Sequence, residues 1–477
     1  MNPYRRNFLR GVATVAGVSA AARTSAQHAH SSPPERQAPA GERSGERSDA
    51  QRATTATSEP SSDVVSVETP DVPRMPWRWE TGVKVFDIRA EHVRTEFLPG
   101  RTVDTWGFNG SMPGPTIEVN EGDRVRFVVE NRLPELFSMH WHGLEIPVNM
   151  DGVPGISQKP IEPGGTFVYE FTLRQNGTFF YHSHMAMQEM MGMIGLFIIH
   201  PPTAHRPRVD RDFGLIFQGW AILPNNTIPN TLAMEFNWLT INGKAGPATT
   251  PMLVKRGERV RVRMVNLGMD HHPIHLHGNT FYVTGTEGGR IRTSAGEPGN
   301  TVLLGVAQAR DVEFEASNLG DWMLHCHLPH HMMNQMASMV GPIMMSHGRG
   351  LQPQTMESGM GMVDGRALAD ESGPAFGRTL AVGAERERPV ANMPLAGASH
   401  TAHAQSGRAG RGLIPGYPQD MFMDMDEMFA GKPETYGLAP GWTGGMMGMM
   451  TLVRVLEPAL FDKIQQLKAA QASKGAE

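Results

Sequence analysis

Between residues 76 and 347 the chain alternates. Runs such as "RVRFVVEN" (124–131), "TFVYEFTL" (166–173) and "RVRVRMVN" (259–266) place apolar side chains at about every second position. "GLFII" (195–199) and "TVLLGV" (301–306) are apolar almost throughout. Period-two runs read as half-buried strands and continuous ones as strands covered on both faces. Gly, Pro and Asn separate them, as in antiparallel sandwiches. The pattern stops outside this body. Residues 27–75 lack Phe, Trp and Tyr and are rich in Ser, Pro, Ala, Arg and Glu, and residues 348–415 hold one aromatic, Phe376. Neither stretch can bury a core, so both are expected to be disordered linkers. Residues 416–477 form a Met-rich tail, with a short amphipathic helix expected around 455–468.

The body also repeats. "GDRVRFVVEN" (122–131) returns as "GERVRVRMVN" (257–266), "MHWHG" (139–143) as "IHLHG" (274–278), and "GTFFYHSH" (177–184) as "GDWMLHCH" (320–327). Three matches in the same order imply two copies of one domain. The expectation is an all-β chain of two Greek-key β-sandwich domains, 76–202 and 203–347.

Composition narrows the function. A balance of 43 Lys+Arg against 48 Asp+Glu, net −5, argues against nucleic acid or an anionic membrane as partner. One cysteine, Cys326, excludes an intrachain disulfide framework. The opening "MNPYRRNFLRGVATVAGVSAAARTSA" has Arg5-Arg6 before Phe8-Leu9, a mild apolar run and small residues near Ala26. Residues 1–26 therefore read as a twin-arginine export signal, for a periplasmic or secreted protein. No later stretch approaches the ~20 apolar residues of a membrane span.

Each copy carries two His-x-His pairs: His140/His142 and His182/His184, then His275/His277 and His325/His327. On a strand, residues i and i+2 share a face, so each pair aims two imidazoles at one place. Imidazole suits Cu, Zn, Fe and Ni, and eight histidines exceed what one four-coordinate ion needs. The second copy adds Cys326 where the first has Ser183, His331 where it has Gln188, and His272 where it has Phe137. Met336 follows ten residues after Cys326. Two His, one thiolate and a weak axial Met compose a blue-copper electron-transfer site.

Over about 80–345 these motifs, "HWHG", "HSH", "HPIHLHG" and "HCHLPHHMMNQM", resemble the multicopper oxidases, which are built from cupredoxin domains. The resemblance implies four coppers. A type-1 copper would be held by His272, Cys326 and His331 with Met336 axial, and a type-2 copper by His140 and His275. One type-3 copper would take His142, His182 and His327, and the other His184, His277 and His325. With room for two domains and the thiolate in the second, the chain is similar to the two-domain, small-laccase branch. That branch implies a homotrimer with the trinuclear cluster between subunits. It implies one-electron oxidation of phenols, aromatic amines or Cu(I) at the type-1 copper. Cys326, with neighbours His325 and His327, would wire that site to reduction of O2 to water.

Three features stay open. Asp151, in "MDGVPG", matches an acid near the cluster in the family, or is an Asp-Gly turn residue. His330 is a proton shuttle or a surface histidine. The 33 Met cluster at 185–193, 332–339, 421–428 and 446–450, as Cu(I)-binding thioethers or as packing. The tail reads as an accessory, so its removal is expected to leave the blue colour. Copper nitrite reductase is a competing reading, opposed by the eight-His set and by Ser183. A non-enzymatic copper carrier is another, and it needs no such set.

Overall fold

Alternating side chains set the architecture of the residues described in this computed structural model, which are 64–223, 226–234, 236–332 and 425–474. The first domain begins with β1 (Arg78–Glu80), β2 (Val83–Leu98), β3 (Arg101–Phe108), β4 (Gly114–Asn120) and β5 (Arg124–Asn131). It continues with β6 (Met139–His142), β7 (Thr166–Thr172), β8 (Gly177–Ser183) and β9 (Ile194–His200). One sheet runs β1-β2-β5-β7 with β3 on β2, and the facing sheet runs β4-β9-β8-β6. In β5, Val125, Phe127 and Val129 point inward. They meet Trp141, Tyr169 and Phe197 in the core.

The second domain repeats this plan. Its strands are β10 (Arg211–Trp220), β11 (Trp238–Ile241), β12 (Met252–Lys255), β13 (Arg259–Asn266), β14 (His272–Leu276) and β15 (Phe281–Thr286). Then come β16 (Gly289–Arg290), β17 (Glu297–Gly299), β18 (Thr301–Leu304), β19 (Gln308–Glu315) and β20 (Gly320–Cys326). The last is β21 (Met450–Leu456). One sheet is β11-β10-β13-β19-β15-β16 with β17 on β15, and the other is β12-β21-β20-β14-β18.

β21 corrects the expected accessory tail. It lies parallel to β12 and antiparallel to β20, as β9 lies parallel to β4 and antiparallel to β8. Val453 and Val455 project into the second core beside Cys326 and Leu324. The tail thus supplies an inner strand of a sandwich. The expected helix starts later, at Pro458–Lys474. Proline is favoured in a first helical turn, where no N–H partner is needed. The helix packs through Phe461 and Ile464 onto Leu253 and Leu456.

Residues 64–75, expected to belong to the first linker, are packed instead. Val67 and Met75 are buried, and Glu68 bridges to Phe213 of the second domain. Val67 joins Phe180, Ile194, Leu196 and Ile198 against Ile216, Val265 and Leu267, so the segment fills the seam between domains. This explains the continuous apolar run of β9, which is buried on both faces. Polar groups cross the same seam. Arg263 pairs with Asp212 at 2.8 Å and donates to Thr178 at 2.7 Å, and Thr178 donates to Asp311 at 2.6 Å. Burial alone would raise the Glu313 carboxyl. Hydrogen bonding to Arg290 and the charge of Arg261 instead hold it down at about 2. No helix among the described residues is long and apolar enough to cross a membrane.

Candidate metal centres

β14 and β20 build the mononuclear site. Ile274 is registered against Cys326, and His275 against His325. Alternation then sends His272, Ile274, Leu276 and Cys326 to the core side. His331 follows on a short 3-10 turn, Pro329–Met332, and is fully buried. The Nδ1 atoms of His272 and His331 are 3.1 Å apart, and Cys326 Sγ lies 3.7 Å from the first and 3.4 Å from the second. Asp270 places a carboxylate oxygen 3.5 Å from His331 Nε2. Burial, then the charge of His331, drives the His272 imidazole down to about 3. Burial drives the Cys326 thiol up to about 12. The His272 imidazole held neutral, the His331 Nδ1 beside it and a thiol that must lose its proton to a strong Lewis acid, all converging at contact distance, fit a copper of the blue type.

The other faces of the same strands carry the His-x-His pairs. In the first domain Met139 and Trp141 of β6 are buried in the core while His140 and His142 face away from it. Residues His140 and His182 are cross-strand partners. His142 Nδ1 lies 3.3 Å from His182 Nε2, and the His140 and His184 rings are 5.2 Å apart. In the second domain His277 Nε2 and His325 Nε2 are 3.0 Å apart, and the rings of His275 and His327 are 5.6 Å apart. Among the described residues the imidazole contacts stay within each quartet. His184 and His327 are exposed at the open side of each.

Main-chain carbonyls orient the imidazoles. His140 Nδ1 donates to the Asp151 carbonyl at 2.7 Å, His182 Nδ1 to Ser183 at 2.8 Å, His275 Nδ1 to Asn300 at 2.7 Å, and His325 Nδ1 to Cys326 at 2.9 Å. Each bond turns Nε2 toward the other imidazoles of its quartet, as in metal-binding histidines whose second ring nitrogen is held by the protein. Burial lowers His140, His277 and His325 and takes His142 down to about 4, with neighbouring imidazoles adding to the effect. Neutral imidazole is the ligating form.

The remaining expected residues divide. Asp151 lies beside His140, but its backbone carbonyl makes the short contact, and its carboxylate is 3.4 Å away. Gly152 follows with φ +82, and a Cβ there would lie 1.7 Å from the Met139 carbonyl oxygen. Only glycine lets this turn press onto β6. His330 is exposed and stacks edge-on against His331 of the mononuclear set. Met336 lies outside the described residues. Met446, Met449 and Met450 are buried, and Asp426 accepts hydrogen bonds from Gly441 and Thr443. Glu189 was not anticipated. Its carboxylate is 2.8 Å from His182 Nδ1. Burial opposes its ionisation, but the bond to His182 and the charges of His182 and His184 lower its pKa. The only sequence signal was one acid within the Met-rich turn after "HSH".

Two family models, each described as multicopper oxidase, match residues 89–204 and 223–341. Copper resistance protein A from Escherichia coli is 46% identical over 134 residues, covering 28% of this chain and 22% of that protein. Laccase-2 from Botryotinia fuckeliana is 31% identical over 245 residues, covering 46% of this chain and 41% of the laccase. The chain thus matches less than half the length of either relative. The blue copper oxidase from Nitrosomonas europaea, a solved structure, is 34% identical with a TM-score of 0.49, covering 53% of this chain and 81% of that one.

Proposed function

The chain belongs to the multicopper oxidase family, and from that premise we propose that it is a laccase-type oxidase that passes electrons from a small reductant to O2. One observation carries the reading. Cys326 faces His272 and His331, while its sequence neighbours His325 and His327 stand in the second-domain quartet. Its main chain is therefore a covalent bridge of a few bonds between the two donor sets. Bound copper supplies the one-electron chemistry at the first set and reduction of O2 to water at the second.

The protein's own part is positional. Carbonyls of Asp151, Ser183, Asn300 and Cys326 fix imidazole tautomers, and Glu189 strengthens His182 as a donor. Glu189 and Asp151 are the acids nearest the first-domain quartet and are the proposed holders of protons for O2 reduction. His330, exposed beside His331, belongs to the electron-entry side.

Four coppers per chain, one type-1, one type-2 and two type-3, match one three-donor site and eight further imidazoles. Among the described residues the imidazole contacts of each quartet stay within it, and His184 and His327 are exposed. This supports a cluster shared between the first domain of one subunit and the second domain of another, in a homotrimer. A monomer with full turnover in solution rules that assembly out. Export through the twin-arginine route is proposed from Arg5-Arg6, and its test is cytoplasmic retention of the double variant Arg5→Lys, Arg6→Lys.

The reductant is a phenol, an aromatic amine or Cu(I), and the likeness to a copper resistance protein supports the cuprous arm. Oxygen uptake with a phenol and with Cu(I) decides between them. Uptake with neither contradicts the oxidase.

A further inference from the structure

The type-1 site described above contains three donors, and spacing alone assigns its fourth to Met336. The structure points elsewhere. In the first domain, Ser183 N donates to the Met193 carbonyl at 3.2 Å, and Met193 N approaches the Gln188 carbonyl at 3.4 Å. In the second, Cys326 N donates to the Met449 carbonyl at 3.1 Å, and Met449 N donates to the His331 carbonyl at 2.9 Å. Cys326 and His331 are the counterparts of Ser183 and Gln188, so Met449 occupies the place of Met193. The strand registers agree: His182 pairs with Ile194, and His325 with Met450. The sequences agree too, for Met190-Met191-Gly192-Met193 recurs as Met446-Met447-Gly448-Met449. Both glycines are left-handed, Gly192 at φ 110 and Gly448 at φ 60, which turns the chain into the strand in the same way. Met449 and Cys326 are both fully buried in one apolar cluster.

We infer that Met449, not Met336, is the axial thioether of the mononuclear copper site. That site is then assembled from two distant stretches of chain, 272–331 and 449. The residues between them are an insertion into the second sandwich, placed just before its last inner strand. The inference rests on the type-1 reading of His272, Cys326 and His331.

The test compares Met449→Leu and Met336→Leu in copper-loaded full-length protein. Leucine conserves volume, which keeps the packing cost of either change small. Loss of a thioether disfavours Cu(II) more than Cu(I), so Met449→Leu is expected to raise the potential of the blue centre and to alter its thiolate-to-copper absorption and paramagnetic resonance. Met336→Leu is expected to leave all three as in the parent. Met449→Gln, which keeps a donor of harder character, is expected to lower the potential. A shift on Met336→Leu with none on Met449→Leu overturns the inference, as does no shift from either. A parent protein without blue absorption would instead overturn the type-1 reading itself.

Discussion

The two domains present the same backbone to different chemistry. In the second, Cys326 Sγ, His272 Nδ1 and His331 Nδ1 converge within 3.7 Å. At the equivalent place in the first domain, Ser183 Oγ donates to Gln188 Oε1 at 2.7 Å, Gln188 Nε2 donates to the Leu136 carbonyl at 2.9 Å, and Phe137 fills the core. Those polar atoms satisfy one another and leave nothing for a metal. The fold offers the position twice, and side-chain donors decide whether it is a centre or packing. The His-x-His faces, by contrast, are retained in both domains, since each contributes half of the imidazoles.

Removing β21 is expected to have the largest effect. Each fully buried apolar side chain is worth about 1.5–3 kcal/mol, and a domain's whole margin is about 5–15 kcal/mol. Losing Met449, Leu452, Val453 and Val455 together removes an amount comparable to that margin. Truncation before residue 425 is therefore expected to leave the second domain unfolded by circular dichroism, with no blue absorption. A folded blue truncate would show that the strand is dispensable. Next comes Cys326→Ser, which writes the first domain's residue into the second. It is expected to abolish blue absorption and O2 uptake and to lower copper content by one per chain, while the cluster copper stays. Unchanged spectra would remove Cys326 from the site.

The smallest effect concerns an asymmetry between the quartets. His182 Nδ1 has both the Ser183 carbonyl and the Glu189 carboxylate at 2.8 Å, whereas its counterpart His325 has the Cys326 carbonyl at 2.9 Å. Glu189→Gln is expected to weaken copper retention at the cluster by about 10–100-fold, the usual cost of losing such a partner. Competition with a chelator measures it, and parent-like retention would reduce Glu189 to a surface acid.

Much of this was legible in the residues. Period two in "MHWH" separates Met139 and Trp141 from His140 and His142, and the burial follows that split. The repeat located both quartets, and comparing "HSH" with "HCH" located the thiol site. What escaped was carried by distance along the chain or by the main chain. β21 is reached only after a low-complexity stretch, so its pairing with β12 and β20 had no local signal. Counting ten residues from Cys326 assumes an uninterrupted domain; the first domain runs from Ser183 straight into β9 at Ile194, whereas the second reaches β21 only at Met450. Carbonyl contacts to imidazole Nδ1 depend on loop course, which no side-chain motif records. Residues 64–75 looked linker-like by composition, yet Val67 and Met75 suffice to anchor them.

The most direct measurement is copper content of the purified full-length chain together with its optical spectrum. Four coppers per chain are expected, one giving an intense thiolate-to-copper band and a coupled pair absorbing in the near ultraviolet. One copper per chain with the blue band alone, or several coppers with no thiolate band, would contradict that expectation.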